Sequence, residues 1–191
     1  MVLAGRHKHR RGVSMRTIAV EEHFLADGFR EAMQRAALMG GSTAYIAEQE
    51  AKLADLGTTR LKDMDAGGID MQVISHTVPG TLALSEGEDV RLARQANDQL
   101  AAAVATYPDR FAGFATLPMT NPEAAAAKLE RTVHSLGFKG AMIHGTTNGR
   151  FLDDPVFLPI LEQAAALEVP LYIYSSWGAA CRCADSVLFW L

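Results

Sequence analysis

Two carboxylates and a histidine stand at the end of an apolar, β-branched run in "TIAVEEHFL", residues 17–25. Thr17, Ile18, Ala19 and Val20 suit a short buried strand, and Glu21, Glu22 and His23 follow at once. Strand side chains alternate between faces, so Glu21 and His23 share one face and Glu22 takes the other. Glu-x-His therefore brings a carboxylate oxygen and an imidazole nitrogen to one spot, a ligand pair that divalent transition metals accept. By pattern alone the pair fits a metal arm and a plain polar strand end equally well. His76 in "ISHTVPG" and His144 in "MIHG" also end apolar runs. Each fits a pocket rim, and equally a capped position facing solvent. His134 falls in mid-helix, on the surface. Cys181 and Cys183, in "CRC", have no second pair, so they make neither a zinc site nor a disulfide framework.

The elements that must position these groups alternate along the chain. Strands are expected over 17–20, 71–78, 110–118, 140–145 and 170–174, and helices over about 47–66, 88–109, 121–137 and 154–169. In the helix over 47–66, Leu53, Leu56, Leu61 and Met64 recur at helical spacing and Gly67-Gly68 is a natural stop. Asn121 caps the third helix, Pro122 opens it and Gly137 closes it. Apolar strands alternating with amphipathic helices mean an α/β fold with a parallel sheet. A doubly wound sheet lacks support, because no G-x-G-x-x-G loop follows the first strand. A (β/α)8 barrel fits better, since polar groups gather at strand C-terminal ends, the rim where barrels keep their chemistry. The chain offers five of the roughly eight strands such a barrel needs.

Composition narrows the function classes. The 191 residues are 49% hydrophobic and 21% charged, with a net charge of -4. That balance argues against nucleic acid or an anionic membrane as the main partner. No apolar run approaches the roughly 18–20 residues that span a bilayer. Residues 1–15 form a basic extension with no signal core, with Met15 an alternative start, and the cytoplasm is the default location.

Four segments carry a resemblance to a known family: "VEEHF", "TRLKDMDAGGIDMQVIS", "ANDQLAAAVATYPDRFAGFATLPMTNPEAAAAKLERTV" and "LGFKGAMIHG…FLDDPVFLPILEQAAALEVPLYI". In order and spacing the sequence resembles the amidohydrolase superfamily, in its aromatic-acid decarboxylase branch. That branch holds the 2,3-dihydroxybenzoate and γ-resorcylate decarboxylases, with aminocarboxymuconate semialdehyde decarboxylase as a relative. The resemblance implies a (β/α)8 enzyme with zinc or manganese at the barrel mouth and Glu21 and His23 as two ligands. It implies a third ligand, a histidine, where Tyr174 stands, and a proton-donating aspartate on an eighth strand that this chain does not contain. His76, His144 and Phe24 are expected to contact the substrate, a small aromatic or unsaturated carboxylic acid. Intact relatives are expected to be homo-oligomers.

Agreement with the family pattern covers about 17–173 and then stops. The expectation is residues 16–174 as a C-terminally truncated barrel, followed by an out-of-frame tail over 175–191. Two rival functions remain: a hydrolase of the same superfamily acting on a lactone or amide, and a non-catalytic fragment that associates with full-length homologues. "EEHF" in place of the His-x-His of the hydrolases favours decarboxylation.

Overall fold

The computed structural model describes residues 15–35, 44–82, 84–85 and 87–174, so the expected tail and nearly all of the N-terminal extension lie outside the described residues. The chain runs β1 (Ile18–Phe24), α1 (Phe29–Arg35), α2 (Ala44–Ala54), α3 (Thr58–Gly67), β2 (Met71–His76) and α4 (Glu88–Thr106). It continues through β3 (Phe111–Gly113), β4 (Ala115–Thr116), α5 (Pro122–Leu136), β5 (Ala141–His144), a 3-10 turn (Pro155–Phe157), α6 (Leu158–Ala166) and β6 (Leu171–Tyr174). Every strand pair is parallel, in the order β1-β2-β3 and β4-β5-β6. No helix among the described residues is long and apolar enough to cross a membrane.

The expected strand over 110–118 is two strands. The backbone N–H of Phe114 donates to Ile74 O of β2, and that of the next residue, Ala115, donates to Gly140 O beside β5. The chain thus changes neighbour at Phe114, and β3 and β4 join the two sheets into one wall. Gly113 sits at the step because a Cβ there would lie 2.7 Å from the Phe138 ring. Beyond the step a side chain replaces a strand. Asn97 of α4 donates from Nδ2 to Thr116 O at 2.9 Å and accepts at Oδ1 from Thr116 N–H at 2.8 Å.

The expected helix over 47–66 is also divided. Asp55 accepts from Gly57 N–H at 2.7 Å and from Arg60 N–H at 2.9 Å, and this side-chain competition with the helix ladder ends α2 and starts α3. Helical spacing survives the break: Met64 is fully buried, and Leu53, Leu56 and Leu61 pack against the same core. The start of α5 and the ends of α3 and α5 follow the sequence. Asn121 Oδ1 accepts from Ala124 N–H at 3.1 Å, and Gly68 and Gly137 close their helices at φ 67° and 70°.

Two apolar layers flank the wall. Phe24, Phe29, Ile74, Leu92, Leu100, Phe111, Leu129 and Ile160 fill the space between strands and helices. Each such side chain contributes about 1.5–3 kcal/mol by leaving water. On the other face Val73, Ala112, Phe114 and Met142 cluster with Met71, Tyr172 and Tyr174. Neighbours in sequence divide between the layers (Val73 inside and Ile74 outside, Ala112 inside and Phe111 outside), as strand alternation requires.

Asn97→Ala removes the partners of both backbone polar groups of Thr116. Urea denaturation is expected to show a loss of about 2–4 kcal/mol, since each orphaned buried group costs about 1–3 kcal/mol. A loss below 0.5 kcal/mol would mean that Thr116 finds other partners.

Candidate functional site

β1 does not stop at Val20 but runs on through the chemical residues. Between the pairs Ala19–Gln72 and Glu22–Ile74, two residues of β1, Val20 and Glu21, stand against Val73 alone. Such a bulge re-aims side chains beside functional sites. Past it His23 pairs with Ser75 and Phe24 with His76.

His23 lies at the inner mouth of the wall. Its Nδ1 is 3.1 Å from Ser75 Oγ, and its ring meets that of Tyr174 edge-on at 5.4 Å. His144, ending β5, meets Tyr174 from another side at 5.8 Å. Glu21 joins this group: its charge acts on His23 and on the Tyr172 phenol. Burial and then Glu21 push the Tyr172 phenol above its ordinary range. Burial lowers the His23 pKa against the pull of Glu21, and the Arg60 guanidinium lowers it further.

Glu22 takes the opposite face, where it faces Arg60. Arg60 braces the strand end from outside: Nη2 donates to His23 O at 2.7 Å, Nε to Asp55 O at 2.7 Å and Nη1 to Gln72 Oε1 at 3.3 Å. Burial pulls its pKa below the usual arginine value while the charges of Glu22 and Asp55 oppose the shift.

Two expected substrate contacts are elsewhere. Phe24 is 0% exposed in the helix-side core, because alternation turns it away from the face His23 uses. His76, paired with Phe24 in register, is 2% exposed and has both nitrogens occupied. Nδ1–H donates to Thr77 O at 2.8 Å and Nε2 accepts from Ala26 N–H at 3.2 Å. Its ring packs against Phe24 and Phe29. Burial, more than the charges of His144 and His23, lowers its pKa to about 3, so it is a neutral core residue. His144 does stay at the rim, 8% exposed, with Nδ1 buried and without a hydrogen-bond partner. Burial first, then His23, lowers its pKa to about 4. His144, Thr81 and Thr116 line a cavity of about 10 Å3, room for about one water. His134 is exposed on α5, and Cys181 and Cys183 lie outside the described residues.

Ser75, Arg60 and Tyr172 were invisible as site residues in the sequence. Tyr172 alone left a signal, its two-residue offset from Tyr174. The other two depend on which residue of β2 or α3 faces the end of β1.

The donor set fits two ligands of a divalent metal. Glu21 is an exposed carboxylate, and Ser75 occupies Nδ1 of His23, leaving Nε2 without a hydrogen-bond partner among the described residues. Among the described residues no group of three or more His, Cys, Asp or Glu is placed to hold an ion. Tyr174 ends β6 where the third ligand was expected.

The profile of the Amidohydrolase family matches residues 21–189. The chain belongs to the amidohydrolase family. It is 37% identical over 165 residues to a γ-resorcylate decarboxylase of Rhizobium radiobacter, covering 82% of this chain and 49% of that protein. Among solved structures, 5-carboxyvanillate decarboxylase of Novosphingobium aromaticivorans, with bound manganese and 3-methoxy-4-hydroxy-5-nitrobenzoic acid, superposes with a TM-score of 0.78 and 35% identity over 83% of this chain and 50% of that one. Dihydroxybenzoic acid decarboxylase of Polaromonas sp. JS666, with manganese and 2-nitroresorcinol, gives 0.74 and 35% over 85% and 50%. The chain spans about half the length of the relatives it matches. The wall of parallel strands is thus part of an amidohydrolase (β/α)8 barrel, with the apolar cluster around Phe114 on its inner side and Glu21, His23 and His144 at strand C-terminal ends.

The neutral histidines give this amidohydrolase a pH signature. Both folded pKa values lie below the ordinary 6.5, so the unfolded chain takes up protons that the folded one refuses. Their stabilisation is complete above about pH 6.5 and is lost as pH falls towards 4 and 3. The slope reaches about 1.4 kcal/mol per pH unit for each group. The urea midpoint is expected to drop clearly between pH 7.5 and 5, and a flat profile would contradict the burial of these rings.

Proposed function

We propose that this chain carries part of a metal-dependent carboxy-lyase that decarboxylates a small aromatic or related unsaturated carboxylic acid. The observation that carries the reading is the Glu21–His23 pair at the barrel mouth, with His23 Nε2 left free by the Ser75 contact at 3.1 Å. The manganese-bound aromatic-acid decarboxylases of the same fold support it. When bound, manganese or zinc supplies a Lewis acid and a template for a carboxylate and its neighbouring hydroxyl. Glu21 and His23 are the residues that would hold it.

The chain's own residues supply the rest of the half-site. Phe114 and Tyr172 stack at 6.0 Å and, with Val73 and Met142, make an apolar wall against which an aromatic ring can lie. His144 and Tyr174 border the mouth, and His144 is the rim histidine that would touch substrate. The aspartate that would protonate the ring carbon is not among the described residues. Residues 16–174 therefore act as a partial barrel, and the chain by itself is expected to be catalytically silent. We place the protein in the cytoplasm, with its intact relatives as homo-oligomers, and its net charge of -4 speaks against a nucleic-acid partner.

Manganese titration followed by electron paramagnetic resonance tests the reading. Glu21→Gln and His23→Ala are each expected to weaken binding at least tenfold, and 2,6-dihydroxybenzoate to perturb the bound-manganese signal. Equal affinity in all three proteins would refute the metal arm. Release of CO2 from 2,6-dihydroxybenzoate by the isolated chain would show that it needs no further aspartate.

A further inference from the structure

We propose that Ser75 is a positioning residue for His23, holding the imidazole in its Nδ1–H tautomer so that Nε2 is the free electron-pair donor at the mouth. The inference deepens the metal reading and rests on it. Ser75 is 0% exposed, and its hydroxyl oxygen has three polar neighbours. Glu22 O lies at 3.3 Å, Met142 Sδ at 3.0 Å and His23 Nδ1 at 3.1 Å. A hydroxyl has one proton. The carbonyl of Glu22 can only accept, a thioether is a weak acceptor, and Nδ1 can either accept or donate, so the arrangement that gives both the carbonyl and the ring nitrogen a hydrogen bond sends the hydroxyl proton to the carbonyl. The lone pairs of Oγ then face His23 Nδ1, which must carry a hydrogen to bond there.

Geometry keeps this choice from relaxing. Ser75 is the register partner of His23 across the β1–β2 ladder, so the hydroxyl sits beside the ring as a consequence of strand pairing. From the opposite face Arg60 Nη2 holds the His23 carbonyl at 2.7 Å, which fixes the backbone from which the ring projects. The Tyr174 ring packs edge-on against the imidazole and restricts its rotation. With Nδ1 committed, only Nε2 is available to a metal. Partners of this kind that orient a ligating histidine change metal affinity about 10–100-fold when removed.

The test uses the full chain with 15N-labelled histidine, free of metal, at pH 8, where long-range 1H–15N spectra report the tautomer of each ring. A His23→Gln variant assigns the signal. The expected result is a dominant Nδ1–H form in the unsubstituted chain, a shift towards Nε2–H in Ser75→Ala, and recovery in Ser75→Thr, which keeps the hydroxyl. Manganese affinity is expected to fall about 10–100-fold in Ser75→Ala and to return in Ser75→Thr. An unchanged tautomer in Ser75→Ala overturns the inference, because the place of the proton would then not depend on the Ser75 hydroxyl. Refusal of manganese by the unsubstituted chain overturns the metal reading instead, and the tautomer comparison then still decides the role of Ser75.

Discussion

Parallel strands that share a ladder must keep count with each other, and β1 carries one residue more than β2 between Ala19 and Glu22. That extra residue governs the end of the strand. Because of the bulge at Val20 and Glu21, the carboxylate joins His23 and Tyr172 on the inner side while Glu22 turns out to Arg60. The same register sets Ser75 against His23 and His76 against Phe24. One pairing belongs to the mouth and the next to the core. A one-residue slip would exchange them and bury the candidate ligands among the helices.

Two kinds of polar burial hold this strand end. Arg60 is a half-buried cation that retains neutralising partners, Glu22 and Asp55, and spends its donors on carbonyls of β1 and of the α2–α3 junction. Burying a charge without such partners would be prohibitive. His76 and His144 take the other route and lose their charge instead. The first arrangement ties an outer helix to the strand, and the second leaves a neutral ring in the core, His76, and another at the inner rim, His144. Both exist because the strand ends lie between two packed layers.

The step at Phe114 plays the corresponding part in the middle of the wall. A strand that changes partners leaves backbone groups uncovered, and Asn97 of α4 supplies the missing donor and acceptor. The helix layer is thereby bonded to the sheet and does more than pack on it. The inner side of the step places Phe114 against Tyr172, which gives the mouth its aromatic floor.

Local chemistry written along the chain determined much of this. Alternating apolar runs gave the parallel α/β class, polar groups at strand ends favoured the barrel within it, Asn121 and Gly137 gave the bounds of α5, and Glu-x-His gave the candidate metal arm, because capping, period and ligand type need no knowledge of distant residues. Pairing decided the rest. Asp55 divided a helix that periodicity had joined, and Phe114 divided a strand, since each break answers a hydrogen bond made elsewhere. His76 and His144 are alike in sequence, each a histidine ending an apolar run, and differ in the fold because only one has backbone partners for both nitrogens and two phenylalanines around it. Whether a strand-end histidine faces the mouth or the core is a matter of register, and register is a relation between two strands, which neither strand's sequence contains.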